Sequence, residues 1–335
     1  MNKPRHLVFG AGIIGGHLAG ALISRGFDTS VVGRDATRNK MKNGITISDY
    51  LNNSTQTTPP VFIATDTNEK SFDVIWLTVK CMAVVDAVPD LRKLLSSNTV
   101  IICCQNGLGS DLALRAAFPD NKILTAIAGY NVAEPNDGHY QRSTEGELVM
   151  QYDQDSQLIV EQLNCPLLPC RHSDNILAEQ WAKLQLNLTN PVNALSDIPV
   201  KTMTEDLAFR RIVATLMSEM LMVCDAMQLE LPKITSIPAH WIPRVLRLPN
   251  FIFKRLAQKM LAIDPTARLS MWWDLSNNKN TEIDFINGAV LAQANILGLH
   301  CPYNQKILEL IKDVEAGKLE IGFSGTQLQQ TMQSK

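Results

Sequence analysis

Residues 6–16 read His6-Leu7-Val8-Phe9-Gly10-Ala11-Gly12-Ile13-Ile14-Gly15-Gly16, an apolar run that passes directly into Gly-x-Gly-x-x-Gly and then into a helical stretch. In that order, strand, glycine turn and helix make the first half of a βαβ unit that takes a dinucleotide. The first glycine permits the tight turn, the second lets backbone approach a pyrophosphate, and the third lets helix pack closely on strand. The helix N-terminus adds amide donors and the positive end of its dipole. Gly10, Ala11, Gly12, Ile13, Ile14 and Gly15 are therefore the expected cofactor-binding loop.

The rest of the first half continues the pattern. Further β-branched runs predict strands at His6–Phe9, Thr29–Val32, Val61–Ala64, Val74–Val79, Val100–Cys104, Ile123–Ala128 and Leu148–Tyr152. Helical stretches at Ile13–Arg25, Ala83–Leu95 and Ser110–Ala117 lie between them. Alternation of this kind predicts a doubly wound parallel sheet of Rossmann type. After residue 173 long helical periodicities replace the strands. The expected organisation is a nucleotide-binding domain over 1–173 and an all-helical domain over 174–335, with Ser173 or Asp174 capping the first helix. The polar tail from Gly322 is expected to be loosely held.

The end of the second strand bears on which nicotinamide cofactor fits. An NAD enzyme normally places an acid there for the ribose hydroxyls. This chain has Val32-Gly33-Arg34-Asp35, with Arg38 close behind, so glycine falls near the acid position and arginines follow that could clamp a 2′-phosphate. The reading favours NADPH/NADP+, with Arg34 at the phosphate; a one-residue shift in register would instead make Asp35 the ribose acid. Two more strand ends carry polar groups, Lys80 after one and Asn106 in Gln105-Asn106-Gly107-Leu108-Gly109 after the next. Ligands of open α/β sheets bind beyond such ends, so both are expected at the cofactor crevice, although Asn-Gly is also an ordinary turn dipeptide.

Composition narrows the possibilities. The 335 residues are 45% hydrophobic and 19% charged with a net charge of −2, which leaves no electrostatic footprint for nucleic acid. No apolar stretch is long enough to span a membrane, and the N-terminus is too short in its apolar run for a signal peptide. Trp241–Met260 has the composition of a basic membrane-surface helix, but Pro243 and Pro249 break it early. Seven scattered cysteines without a CxxC pair point to reduced thiols and a cytoplasmic protein, and the six histidines lack metal-ligand spacing. No metal site is expected.

Lys183, Asn187 and Asn190 stand at i, i+4 and i+7 in the segment Asp174–Leu195, which puts an amine and two amides on one helix face. Leu177, Trp181, Leu184, Leu188 and Leu195 form a separate apolar stripe. Asparagine is a poor helix former, and Pro191 cannot donate to the Asn187 carbonyl, so the helix should kink or end among these groups. Local rules broken together are expected where function requires them; a frayed helix end would explain the same residues.

Taken together, GAGIIGG (10–16), Arg34, Lys80, Gln105–Gly109, Trp181-Ala182-Lys183-Leu184, Asn187, Ser270-Met271 and Thr281-Glu282-Ile283-Asp284-Phe285-Ile286-Asn287-Gly288 resemble the ketopantoate reductases (2-dehydropantoate 2-reductases) over nearly the whole chain. The resemblance implies NADPH-dependent reduction of ketopantoate to pantoate in pantothenate and coenzyme A biosynthesis, by a monomer or homodimer. It further implies Lys183 as general acid with Glu282 as its carboxylate, and Asn106, Asn187, Asn190 and Ser270 as hydrogen-bonding partners of the keto acid. An ammonium suits the task, since hydride delivery leaves negative charge on oxygen that must be stabilised and protonated. Thr281 also reads as a helix cap paired with Asp284, which gives Glu282 an ordinary first-turn role, and Ile283, Ile286 and Val290 read as the packing face.

The chain departs from the family pattern where substrate is expected. Asn187 and Asn190 are three apart instead of four, which makes Asn193 a competitor of Asn190. Ala267 replaces a common asparagine, and Leu231–Ala267 is a longer, apolar and basic stretch with Trp272 and Trp273 beyond it. A paralogous reductase of another 2-keto acid is thus the near alternative, and a non-catalytic NADP-binding redox sensor the distant one.

Overall fold

The computed structural model describes residues 3–65, 72–256 and 264–333, which form two compact units, Met1–Glu179 and Gln180–Lys335. In the first unit an eight-stranded sheet runs in the order Cys170–Ser173, Leu148–Gln151, Ile123–Ala128, Val100–Cys103, Val74–Leu77, His6–Phe9, Thr29–Val32, Val61–Phe62. The last six of these are parallel; Leu148–Gln151 pairs antiparallel with Ile123–Ala128. From His6–Phe9 the chain first adds strands on one side and then returns to add Val74–Leu77 on the other. The order reverses between these two strands. Their carboxyl ends, Phe9 and Leu77, frame the switch point at which such sheets hold ligands.

The central strands read as continuous apolar runs because both faces are covered. On one face Val84, Ala87, Leu91 and Leu94 of helix Val84–Leu94 pack on Leu7, Ile75 and Ile101. On the other, Leu18, Ala19 and Leu22 of helix Ile13–Ser24 pack on Val8, Trp76 and Ile102. Cys103 and Cys104 fall in opposite cores, as strand alternation requires, and all seven cysteines are free thiols.

A second sheet, Ser54–Gln56, Thr46–Asp49, His139–Arg142, Val132–Asn136, was not expected from the sequence. It covers the outer side of helix Ile13–Ser24, which is buried almost all round for that reason. Gly16 and Gly20 make the approach possible. A Cβ at Gly16 would enter the Tyr140 ring, and one at Gly20 would lie 2.5 Å from Ile47 Cγ2. The strands are three to five residues long and mostly polar or mixed, so their alternation is too short to detect. Helices Asp35–Lys40 and Gln154–Leu163 and strand Cys170–Ser173 are likewise additions to the expected elements.

The second unit is helical as expected. Its central helix is Leu207–Ala226, whose Arg210 is 1% exposed yet fully engaged: the guanidinium donates to the Leu246, Thr204, Glu205 and Leu248 carbonyls and to Asn250 Oδ1 at 2.7–3.1 Å. Stacked 4.1 Å over Phe253, it ties the segment around Ile242–Leu246 and Asn250–Leu256 to the bundle. These short helices, with Pro243 inside the first and Pro249 before the second, replace any single amphipathic helix; residues 257–260 lie outside the described set. The tail departs from expectation. Gly325–Gln333 is a helix packed on Leu207–Ala226, with Leu328 and Met332 buried at i, i+4. No helix among the described residues is long and apolar enough to cross a membrane, and none of them group as a metal site.

Candidate active site

The glycine loop leaves the carboxyl end of His6–Phe9, and its geometry sorts the three glycines by cause. Gly10 has φ +107, and a Cβ there would meet Val79 N at 2.8 Å. At Gly15 a Cβ would run into the Gly10 carbonyl and lie 2.6 Å from Thr78 Oγ1. Protein atoms alone dictate these two. Gly12 is different: a Cβ there would meet nothing within 4 Å, so packing places no demand on the position. Gly12 is the N-cap of helix Ile13–Ser24 and supplies no side-chain hydrogen bond, so the first-turn amides have no side-chain partner from the cap and the space above them is open to a ligand. Thr78 holds the loop, its hydroxyl donating to the Gly10 carbonyl at 2.6 Å. The donor set suits a dinucleotide pyrophosphate.

Register at the second strand is unambiguous. Phe9 pairs with Val32, so Gly33 is the first residue beyond the strand, and a Cβ there would lie 2.9 Å from Ala11 Cβ. An acid at this position would crowd the glycine loop. Arg34 follows, exposed, as the N-cap of helix Asp35–Lys40, with Asp35 in the first helical turn. Arg38 lies over the Phe62 ring at 5.4 Å and donates to the Phe62 carbonyl at 3.3 Å. Of the two arginines, Arg38 is the one committed to the protein.

The next two strand ends are stitched together. Gln105 Nε2 donates to the Leu77 carbonyl at 2.7 Å and to that of Val79 at 3.2 Å, while Cys81 Sγ donates to the Asn106 carbonyl at 2.6 Å. Asn106 is thereby fixed, half-buried, on the loop after Val100–Cys103, and Lys80 is exposed after Val74–Leu77. Thr78 and Gln105 organise this end of the sheet, and the sequence reading gave neither a role of its own. Their one signal is position, as polar residues immediately past buried strands.

In the helical segment the expected break is present. Helix Ile176–Asn187 ends, Leu188 intervenes, and helix Thr189–Ser196 begins, with Pro191 in its first turn where no donor is required. The cap of the first helix is Asn175, whose Oδ1 accepts from Ala178 N at 3.1 Å, and not Ser173 or Asp174. Trp181, Leu184, Leu188 and Leu195 are buried, whereas Leu177 is 42% exposed. Lys183 and Asn187 are half-buried one turn apart.

The two competing asparagines are separated by their contacts. Asn193 is fully buried and spent on backbone: its Nδ2 donates to the Ile198 carbonyl at 2.8 Å and its Oδ1 accepts from Leu269 N at 3.0 Å. Asn190 instead directs Nδ2 at the exposed Ser270 hydroxyl, 3.5 Å away. Helix Thr189–Ser196 and helix Ser270–Ser276 pack together, so residues 80 apart in sequence share one place.

Glu282 is half-buried just before helix Ile283–Ile296. The expected capping box does not close. Thr281 Oγ1 accepts from Ile283 N at 3.2 Å, but it is Glu315 that accepts from Thr281 N (2.7 Å) and Oγ1 (2.8 Å). Asp284 pairs with Lys312 at 2.6 Å. Glu282 is itself the N-cap of this helix, and its carboxylate makes no capping hydrogen bond. Ile283, Ile286 and Val290 are buried as expected; Asn287, also buried, donates to Asn304 Oδ1 at 3.0 Å.

The arrangement defines a class: a Rossmann-type α/β unit with its glycine loop at the switch point, joined to an all-helical unit whose first two helices carry Lys183, Asn187 and Asn190. The chain matches Ketopantoate reductase PanE/ApbA over residues 6–154 and Ketopantoate reductase PanE/ApbA C terminal over residues 175–315, and it belongs to that family. It is 24% identical over 325 residues to the 2-dehydropantoate 2-reductase of Archaeoglobus fulgidus, covering 95% of this chain and 100% of that one. A Streptococcus pyogenes enzyme of the same name is 26% identical over 264 residues, covering 77% of this chain and 80% of its own. The fold is similar to that of a PanE/ApbA family ketopantoate reductase from Ralstonia eutropha (TM-score 0.78, 20% identity, 93% of this chain and 99% of that one). It is also similar to D-mandelate dehydrogenase in a ternary structure with NADH and anilino(oxo)acetate (TM-score 0.75, 20% identity, 93% and 99% covered).

Proposed function

We propose that this chain is an NADPH-dependent 2-keto acid reductase acting on ketopantoate to give pantoate, the reaction of pantothenate biosynthesis. The observation that carries the reading is the placement of Lys183, Asn187 and Asn190 along one broken helix with Ser270 beside the last of them. That both halves match one family, with relatives named 2-dehydropantoate 2-reductase, supports the substrate.

Gly10–Gly15, Arg34, Lys80 and Asn106 would hold the cofactor, which supplies a hydride to the keto carbon when bound. Gly12 leaves room for the pyrophosphate, and glycine at position 33 with Arg34 next favours a 2′-phosphate over a bare ribose. Lys183 Nζ donates a proton to the oxygen on which charge develops, and Glu282 works with it. Asn187, Asn190, Ser270 and Asn106 orient the keto acid with neutral donors and acceptors. The protein is proposed to act in the cytoplasm as a monomer or homodimer; a related Staphylococcus aureus ketopantoate reductase is described as dimeric.

Steady-state assays with ketopantoate and a panel of 2-keto acids test the reading. A ketopantoate kcat/KM far below about 10⁴ M⁻¹s⁻¹ alongside a better substrate would reject it. The second reading, a reductase of a larger 2-keto acid, is favoured by Trp272 and Trp273 next to Ser270 and by the likeness to D-mandelate dehydrogenase. Lys183→Ala should lower kcat roughly 10²–10⁴-fold with NADPH affinity nearly unchanged. A near-normal kcat would remove Lys183 as the acid.

A further inference from the structure

Helix Ser270–Ser276 is seven residues long and its N-cap, Leu269, makes no side-chain hydrogen bond. A helix this short is marginal in isolation, so tertiary ties must set where Ser270 points. Ties of this kind come from the C-terminal end of helix Thr189–Ser196, the turn beyond it and the first residue of helix Val200–Glu205. Asn193 Oδ1 accepts from Leu269 N at 3.0 Å, and Val200 N donates to the Ala267 carbonyl at 2.9 Å. Asp197 Oδ1 accepts from Arg268 Nη1 at 2.9 Å and from Trp272 Nε1 at 2.7 Å, with Arg268 stacked 4.1 Å over the Trp272 ring. Ala267, Arg268, Leu269 and Trp272 are thus all fastened on either side of Ser270.

Stability alone is a poor account of this clamp. The Asp197 and Arg268 side chains are 44% and 21% exposed, and ion pairs so placed contribute little net energy. Asp197 also sits at φ 53, a left-handed conformation that non-glycine residues adopt uncommonly. Asn193 is three residues beyond Asn190, on the same helix face. One amide of the pair therefore faces the Ser270 hydroxyl, while the other holds the backbone next to Ser270.

We propose that Asn193 and Asp197 are positioning residues for the keto acid: they act through Ser270 by holding the turn Ala267–Trp272 so that its hydroxyl stands beside Asn190. The inference rests on the reading of Ser270 and Asn190 as substrate-binding residues. Asn193→Ala removes the link to Leu269 together with the bond to the Ile198 carbonyl. Asp197→Gly removes both side-chain links and suits the left-handed backbone, which keeps a second variant in hand if the buried Asn193→Ala does not fold.

Each variant should raise KM for the keto acid about tenfold while leaving the KM for NADPH within about twofold. The deciding measurement is a double-mutant cycle with Ser270→Ala. On that background either substitution should add less than about twofold, since the group through which it acts is already gone. Additive losses, or a lower melting temperature with an unchanged KM for the keto acid, would overturn the proposal. If the wild-type enzyme reduces no 2-keto acid, the functional reading fails and takes this inference with it; an active wild type with additive losses overturns the inference alone.

Discussion

Replacing Gly12 and Gly15 separately by alanine should divide nucleotide binding from folding. At Gly12 (φ −73, ψ −164) the new methyl meets no protein atom within 4 Å and the backbone needs no change. The folding cost is then that of alanine for glycine at a helix N-cap, about 1 kcal/mol at most. For a unit of the size of Met1–Glu179 this lowers Tm by about 2–4 °C. At Gly15 the methyl is forced into the Gly10 carbonyl and to 2.6 Å from Thr78 Oγ1. The obstacle is backbone and cannot rotate away. Overpacking of this kind costs about 3 kcal/mol, or about 6–12 °C.

Binding should show the reverse weighting. If a pyrophosphate approaches the backbone at Gly12, the methyl occupies its place, and a loss of about 2 kcal/mol raises the NADPH Kd about 30-fold. Thermal denaturation followed by circular dichroism, with titration of NADPH fluorescence, measures both quantities on the same samples. Gly12→Ala binding NADPH within about twofold of wild type would refute the assignment of the loop. A Tm for Gly12→Ala as low as that of Gly15→Ala would refute the claim that packing makes no demand there.

Arg34→Ala should weaken NADPH far more than NADH, which competitive titration of the two cofactors measures; equal losses would exclude the 2′-phosphate role. Burial lowers the pKa of His6 to about 3, and burial together with the Arg142 guanidinium lowers that of His17 to about 4. Unfolded histidines titrate near 6.5, so between that pH and the folded values the unfolded chain binds more protons and stability falls as pH falls. The slope should be about 1.4 kcal/mol per pH unit for each histidine, and urea denaturation of His17→Met should show about half the wild-type slope between pH 6 and pH 5. An unchanged slope would show that His17 is not a neutral group in the fold.

Much of the fold was legible because its signals are local. Strand His6–Phe9 and the glycine loop declare themselves by hydrophobicity and by backbone freedom, which belong to single residues and their neighbours. The break near Pro191 was legible for the same reason, since the missing donor and the ring clash act within one turn. The four-stranded sheet was not. Its strands are short and mixed in polarity, and the glycines that admit it, Gly16 and Gly20, look like helix weaknesses until Tyr140 and Ile47 are placed against them. The order of the tail from Gly322 is not legible because its buried apolar side chains, Leu328 and Met332, are outnumbered by polar residues.

For the candidate site, sequence by itself determined a glycine loop and an amine and two amides at helical spacing, and the family resemblance added a serine and a glutamate far downstream. Only tertiary structure decided which groups meet. Asn190 and Asn193 are the same residue type three positions apart, and nothing local separates them. The difference lies in partners about 80 residues away, since a buried amide must satisfy both its donor and its acceptor where backbone groups stand ready. Asn193 finds them at Ile198 and Leu269, and Asn190 is left to face Ser270.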